Sequence, residues 1–424
     1  MNGERFHSSY GAMLFTLRCM ICVVGFNTAG HAFARDSDLL TEAKAVEYAL
    51  TRTAIQGAED ARLLAAESAV TQSTTLPNPV ASMTHENVDA PAGSASESTV
   101  TISQTFDISG RRQLRKEAAE TRRQATRLDN QSRRIAIVQD VRKSFAAALY
   151  QQELQASHVA WLKRLDAVTN IVGQLARAGE ASGYDRRRLE REAQTAKVRL
   201  RVIQAEASRR REILSGTMAK PIADASMFEG NLIPDSPLPI ETLLAGSSKH
   251  PEIAGLEAQV TASERDRQVA ELLQRPDITL GLGTKHVSEP GFSDNGLILA
   301  LSVPIPVFDK GKAQEQQAHA QVLALQSELS LKHSRVQAEL RGIWSQTTQL
   351  RQAALEYQDE TLITAQELSR IAEASYRAGE GTLLELLDAY RAELEAQTLK
   401  LDLALQARLS RIELDALTGA TPYE

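Results

Sequence analysis

Leu175-Ala176-Arg177-Ala178-Gly179-Glu180-Ala181-Ser182 returns later in the chain as Ser375-Tyr376-Arg377-Ala378-Gly379-Glu380-Gly381-Thr382. The shared Arg-Ala-Gly-Glu recurs at a spacing of 200 residues, Arg177 to Arg377. Upstream, Phe106-Asp107-Ile108-Ser109-Gly110-Arg111 matches Phe308-Asp309-Lys310-Gly311-Lys312, the phenylalanines standing 202 apart. Downstream, Leu214-Ser215-Gly216 matches Leu417-Thr418-Gly419 at a spacing of 203. Three landmarks in one order, at nearly one offset, mark an internal duplication.

Proline placement then separates helix from the rest. No proline occurs between Ala92 and Lys220, nor between Val307 and Thr421. A proline inside a helix costs about 3 kcal/mol, so very long helices need such runs. In each half a run of about 65 residues leads to the Arg-Ala-Gly-Glu turn and a return helix of about 35 follows, the longer spanning on the order of 100 Å. No globular core is that thick, so these helices pack laterally as an extended coiled coil. Leu387, Leu394 and Leu401 repeat every seven residues, and Leu405, Leu409 and Ile412 continue the stripe. Ala146, Ala147 and Ala148 allow close helix approach, and the charges of Arg186, Arg187, Arg188, Glu190 and Arg191 read as a solvated face.

Strand-like sequence precedes each long helix. Leu297, Leu299, Leu301 and Val303 alternate with Ile298, Ala300 and Ser302, and Ile278, Leu280 and Leu282 alternate with Thr279, Gly281 and Gly283. In the first half Val100, Ile102 and Gln104 alternate with Thr99, Thr101 and Ser103, and a less regular partner runs from about Pro79 to Glu86. Turn-rich loops, 88–94 and 288–296, join each pair. Strands of about ten residues with period-2 polarity fit a tilted bilayer crossing; two soluble hairpins in a small sheet are the alternative. Four strands cannot close a barrel, and open edges cannot face lipid, so a membrane reading requires several chains to pool strands. Three chains supply twelve.

Composition narrows the function. With 424 residues but only 4% aromatic, the chain resembles long packed helices more than several compact cores. A net charge of −6 offers no basic excess for nucleic acid. The first 34 residues read as an export signal: Arg5 and Arg18 precede the apolar stretch Cys19–Phe26, and Ala32-Phe33-Ala34 offers small residues for cleavage. That stretch is too short to span about 30 Å of hydrocarbon as an anchor. Cys19 and Cys22, the only cysteines, leave with it, so the mature chain has no disulfide and no thiolate ligand. Neither cysteine has a lipobox-like context, so no acylated N-terminus is expected.

The order helix, two strands, long helical hairpin, repeated after an export signal, resembles the TolC-type outer-membrane efflux family. The resemblance covers essentially the whole mature chain. It is carried by the junctions Ser103-Gln104-Thr105-Phe106-Asp107 and Ser302-Val303-Pro304-Ile305-Pro306-Val307-Phe308-Asp309, by the two Arg-x-Gly-x-x-Ser/Thr turns, and by Leu383-Leu384-Glu385-Leu386-Leu387-Asp388-Ala389. Leu76-Pro77-Asn78-Pro79, His85-Glu86-Asn87 and the stretch from Ile102-Ser103-Gln104 to Gly110-Arg111-Arg112 look closest to the branch serving cobalt-zinc-cadmium (CzcC-like) pumps. It implies an α+β membrane protein, a homotrimeric twelve-stranded barrel continued by a periplasmic α-helical tunnel. Its division would be signal 1–34, repeat 35–217, equatorial linker 218–245 and repeat 246–424. It would be the exit duct of a tripartite efflux system in a Gram-negative outer membrane, in contact with lipid, a periplasmic adaptor and an inner-membrane RND pump, and would carry heavy-metal cations. Drug or other small-molecule efflux is the alternative substrate class. A periplasmic coiled coil or adaptor without a barrel is the alternative architecture, although an adaptor should show one hairpin flanked by a lipoyl-like domain.

The resemblance also assigns residues. Arg177, Gly179, Ser182, Arg377, Gly379 and Thr382 form tips that contact the adaptor; glycine permits the reversal and the hydroxyls can cap the outgoing helices. Glu385 and Asp388, three apart on one helical face, line the periplasmic entrance, where threefold symmetry makes each a carboxylate ring that favours cations. Asp185 matches Glu385, but Arg188 stands opposite Asp388, which would pair the gate electrostatically. Tyr376 matches a gate tyrosine, whereas Gly381 replaces a basic latch residue of some members. The histidines outside the signal are His85, His158, His250, His286, His319 and His333, none at ligand spacing. No metal site or cofactor is therefore expected. Phosphate-loop, nucleophile-elbow and Cys-His signatures are absent, so the chain does not read as an enzyme.

Overall fold

The computed structural model describes residues 39–91, 93–178 and 182–419; residues 1–34, read above as an export signal, lie outside them. A short strand β1 (Leu39–Thr41) leads into helices α1 (Glu42–Leu50) and α2 (Thr53–Thr74), then the hairpin β2 (Val80–Ala90) and β3 (Gly93–Phe106). Helix α3 (Arg111–Ala178) follows, 68 residues without a break, and α4 (Gly183–Met218) returns. At 1.5 Å per residue α3 is about 100 Å long. A connecting segment carries β4 (Met227–Glu229), which pairs parallel with β1, and α5 (Ile240–Gly246).

The second half repeats the pattern with α6 (Pro251–Glu271), β5 (Ile278–Glu289), β6 (Phe292–Ser302), α7 (Lys312–Glu356), α8 (Ile363–Arg377) and α9 (Leu383–Thr418). Between α7 and α8 the helix widens into a π turn over Tyr357–Leu362, an interruption absent from α3.

The four long strands form one antiparallel sheet in the order β2-β3-β5-β6. The loops expected at 88–94 and 288–296 are instead strand almost to their ends, with Ala90 paired to Gly93 and Glu289 to Phe292. Ladder hydrogen bonding outweighs the weak strand propensity of Asp89, Ser94, Asp294 and Asn295. One face carries cross-strand rows such as Ala81–Ile102–Leu282–Leu299 and Met83–Val100–Thr284–Leu297. Met83 is 73% exposed, Leu297 84% and Leu299 83%. The opposite face is polar, with Ser82 bonded to Thr101 at 2.6 Å, Thr105 to Thr279 at 2.9 Å, and Lys285 paired with Glu97. Gly283 lies on that face; a Cβ there would stand 2.3 Å from the Val100 carbonyl oxygen, so the polar side is the crowded one. No helix among the described residues is long and apolar enough to cross a membrane.

Below the sheet the helices share three cores. The largest girdles the middle, where Phe145, Leu149 and Val141 of α3 meet Leu214, Phe228 and Ile412. The connecting segment is strapped over it: Gln152 bonds the Phe228 backbone in both directions at 2.9 and 2.8 Å, Trp344 donates to Leu238 O at 2.9 Å, and Arg411 to Asp235 O at 2.9 Å. Under this layer Arg142, 4% exposed, donates to Glu42 at 2.7 Å and Asp415 at 2.9 Å, tying α3 to α1 and α9. On the α7 side of α9 the matching contact is a buried hydroxyl pair, Thr347 and Ser410, at 2.7 Å.

Candidate functional site: the end of the helices remote from the sheet

The lower halves of α3, α4, α8 and α9 converge on Trp161, Leu165, Val168, Val172, Leu189, Leu383, Leu386, Leu387 and Tyr390. Leu383, Leu386, Leu387 and Tyr390 bury one face of α9, which is why Glu385 and Asp388 are left outside. Both turns start their return helix with a hydroxyl cap. Thr382 Oγ1 accepts from Glu385 N at 3.3 Å while the Glu385 carboxylate accepts from Thr382 N at 2.8 Å and its hydroxyl at 2.9 Å. That is a complete capping box. Gly379, at φ 79°, makes the reversal before it. In the first repeat Ser182 accepts from Asp185 N at 3.1 Å and donates to its carboxylate at 2.8 Å. Aspartate is one methylene shorter than glutamate, and among the described residues the full reciprocal capping box appears at Thr382 alone.

The capping bonds from the Thr382 N–H and hydroxyl hold the Glu385 carboxyl below its ordinary value. Asp388 differs. It is exposed, and among the described residues its one ion pair is a 3.7 Å approach to Arg391, whose guanidinium is engaged bidentately by Glu192 of α4 at 3.1 and 2.5 Å. Glu385 and Asp388 border an open groove of about 880 Å³ between α8 and α9, floored by Leu368, Ile371 and Ala372. Tyr376 packs against the converging core; burial and the nearby Asp185 carboxylate raise its hydroxyl pKa. Arg188 is half-buried, and its Nε has no hydrogen-bond partner among the described residues. Asp185, Tyr376 and the caps are thus drawn together, while Asp388 faces out on its own. Of the tip residues, Arg377 donates to Glu373 at 2.6 Å, Arg177 ends α3 exposed, and Gly179 lies outside the described residues.

Sequence reasoning missed the belt just above. Arg164 of α3 pairs with the buried Glu393 of α9, lies 5.5 Å over the Tyr390 ring, and that ring meets Trp161 edge-on at 6.0 Å. Pairs joining residues 199 or 229 positions apart leave no local pattern to read. At the far end of the molecule His85 and His286 stand in one cross-strand row on either side of Ser98. Their Nδ1 atoms are occupied by Ser98 at 2.8 Å and Asn295 at 2.9 Å. No three metal-ligating side chains come together among the described residues.

Residues 247–420 match the sequence model of the family described as outer membrane efflux protein. The second repeat is thus similar in sequence to the outer membrane efflux proteins. The chain is an outer-membrane efflux channel and not an enzyme, and its long helices are the periplasmic part. Channels of this family are homotrimers that work with an adaptor and an RND pump. The cobalt-zinc-cadmium resistance protein CzcC of Cupriavidus metallidurans is 23% identical over 83% of this chain and 84% of its own. The pyoverdine export outer membrane protein OpmQ of Pseudomonas aeruginosa is 24% identical over 74% of this chain and 67% of its own. The solved outer membrane protein VceC of Vibrio cholerae shares the fold, with a TM-score of 0.71 at 17% identity over 90% of this chain and 97% of that one.

Proposed function

We propose that three copies of this chain close a twelve-stranded barrel over a helical tunnel and form the exit duct for divalent heavy-metal cations delivered by a periplasmic adaptor and an RND pump. The observation that carries the reading is the sheet. One face is apolar over the half nearer the helices, the other is polar and glycine-lined, and β2 and β6 each have one edge unpaired within the chain. In hydrocarbon an unpaired edge is untenable, and joining β6 of one copy to β2 of the next removes all of them. The 100 Å helices then continue the pore toward the inner membrane, with the 177–182 and 377–382 turns offered to the adaptor.

At that end Asp388 supplies the selectivity. Threefold symmetry sets three such carboxylates around the entrance, which attracts divalent cations and repels anions. Asp185, Arg188, Tyr376 and Glu385 hold the surrounding caps and core and so set how far the helices part. The likeness to CzcC along most of both chains supports the metal reading. The likeness to OpmQ favours a second reading, export of a small organic molecule, over a smaller share of each chain.

Two measurements test this. Purified from membranes, the protein should run as a trimer that heat dissociates, and in planar bilayers it should conduct cations in preference to anions. Asp388→Ala should enlarge the conductance and weaken the preference; a soluble monomer without conductance overturns the channel. Deleting the gene in its native host should sensitise growth to cobalt, zinc or cadmium. Unchanged metal tolerance, with sensitivity to organic compounds instead, hands the substrate to the second reading.

A further inference from the structure

Where β6 ends, the chain does not turn polar. It runs Val303-Pro304-Ile305-Pro306-Val307-Phe308 before the charged Asp309-Lys310-Gly311-Lys312. Ile305 is 81% exposed, Val307 62% and Phe308 101%, a density of bare apolar side chains unusual outside a strand. Val303 continues the alternation of Leu297, Leu299 and Leu301 on the apolar face, so the segment prolongs the lipid-side surface of the sheet toward the helices.

Irregular backbone is normally barred from hydrocarbon because its N–H groups find no acceptor. This segment has few to satisfy. Pro304 and Pro306 carry no N–H, and Val307 N donates to Ile305 O at 2.9 Å. The matching junction of the first repeat is built the other way. Asp107 there accepts from Ser109 N at 2.9 Å, from the Ser109 hydroxyl at 2.6 Å, from Arg112 N at 2.8 Å and from Arg115 at 3.2 Å, and Arg111 crosses to Asp277 at 2.5 Å. Among the described residues no tyrosine or tryptophan lies in the strands, so no belt of amphipathic rings marks this edge of the sheet.

We propose that residues 303–308 are a lipid-immersed collar, lying against the acyl chains of the periplasmic leaflet, with the exposed Lys310 and Lys312 at the phosphate level. The inference rests on the channel reading and adds a membrane-contacting segment that is not part of the barrel. Lysine after an apolar run is the arrangement that places the ammonium among headgroup phosphates while its stem stays in the apolar layer. In the trimer the collar contributes three apolar patches, one below each β6, alternating with the three polar Asp107 junctions.

The test uses the whole channel in vesicles of phosphatidylethanolamine and phosphatidylglycerol, with and without brominated acyl chains. Phe308→Trp and Ile305→Trp report on the collar, Leu299→Trp reports on the barrel face, and the wild-type emission of Trp161 and Trp344 is subtracted. The added emission of all three should lose most of its intensity in brominated vesicles and resist acrylamide. If Leu299→Trp is quenched by bromine but both collar tryptophans are quenched only by acrylamide, the segment is in water and the collar is wrong. If neither agent reaches them, a neighbouring copy covers the segment, which overturns it equally. An unquenched Leu299→Trp refutes the membrane reading itself, so the two failures are distinguishable.

Discussion

The two repeats share one plan and solve it with different chemistry. At the sheet-to-helix junction the first repeat uses a carboxylate that gathers four hydrogen bonds and two arginines. The second uses prolines and bare apolar side chains, and among the described residues its Asp309 accepts only from Gly311 N at 2.8 Å. In the long helix, α3 is unbroken while α7 and α8 are divided by a π turn. At the girdle α9 is held to α3 by buried ions and to α7 by two hydroxyls. Duplication thus preserved backbone periodicity, which every copy needs to pack, and left the polar fastenings free to diverge.

The largest expected effect tests the helical difference. Deleting Lys163 from α3 turns everything beyond it by about 100° and carries Leu165, Val168 and Val172 out of the core. Deleting Asp359 removes one residue from a turn that holds one more than an α turn, so the face carrying Tyr376 stays near its place. Recovery of assembled channel from membranes should collapse for the first and stay near wild type for the second; equal losses would mean the π turn is not a tolerated extra residue.

Next comes the girdle. Arg142→Ala leaves Glu42 and Asp415 buried with less compensation and should lower stability by about 3–5 kcal/mol, measured as urea unfolding of the helical signal. Thr347→Val strands only the Ser410 hydroxyl, for roughly 1–3 kcal/mol. Similar values for both would erase the contrast between the two sides of α9.

The junctions come third. Asp107→Ala should cost about 2 kcal/mol and Asp309→Ala no more than about 1, since cap-type hydrogen bonds to a carboxylate lie in that range. Burial raises the Asp107 carboxyl, but the bonds from Ser109 and Arg112 and the Arg111 charge prevail and hold it below its ordinary value. A lowered folded value means that the Asp107 contribution is complete above the unfolded pKa and vanishes as pH falls through the folded one. Wild type should therefore lose stability relative to Asp107→Asn below about pH 4.

The smallest effect separates the caps. Thr382→Ala should cost about 1 kcal/mol of helix stability. Asp185→Glu, which lengthens the acid enough to reach the Ser182 N–H, should add a few tenths. Hydrogen exchange of the first turns of α9 and α4 reads both.

Much of this was legible in the chain. Leu387, Leu401 and Ile412 announce a buried stripe at helical spacing and are all buried; Leu297, Leu299 and Leu301 announce one face of a strand and share one. The site was legible only in part. Ser182 and Thr382 sit where a cap belongs, but the spacing of Glu385 and Asp388 says nothing of their difference. One is spent on the cap, and the other stands beside an arginine already taken by Glu192.

By itself the sequence determined the duplication, the length of the helices and the two-faced strands, because each follows from local backbone preference and the period of apolar side chains. Only the tertiary structure decided that β3 pairs with β5 across the repeats, that Arg142 reaches Glu42 and Asp415, and that Arg164 finds Glu393. Such contacts join residues 100 to 273 positions apart. Their energy comes from burial and charge created when the helices meet, and nothing in the neighbourhood of either partner along the chain encodes it.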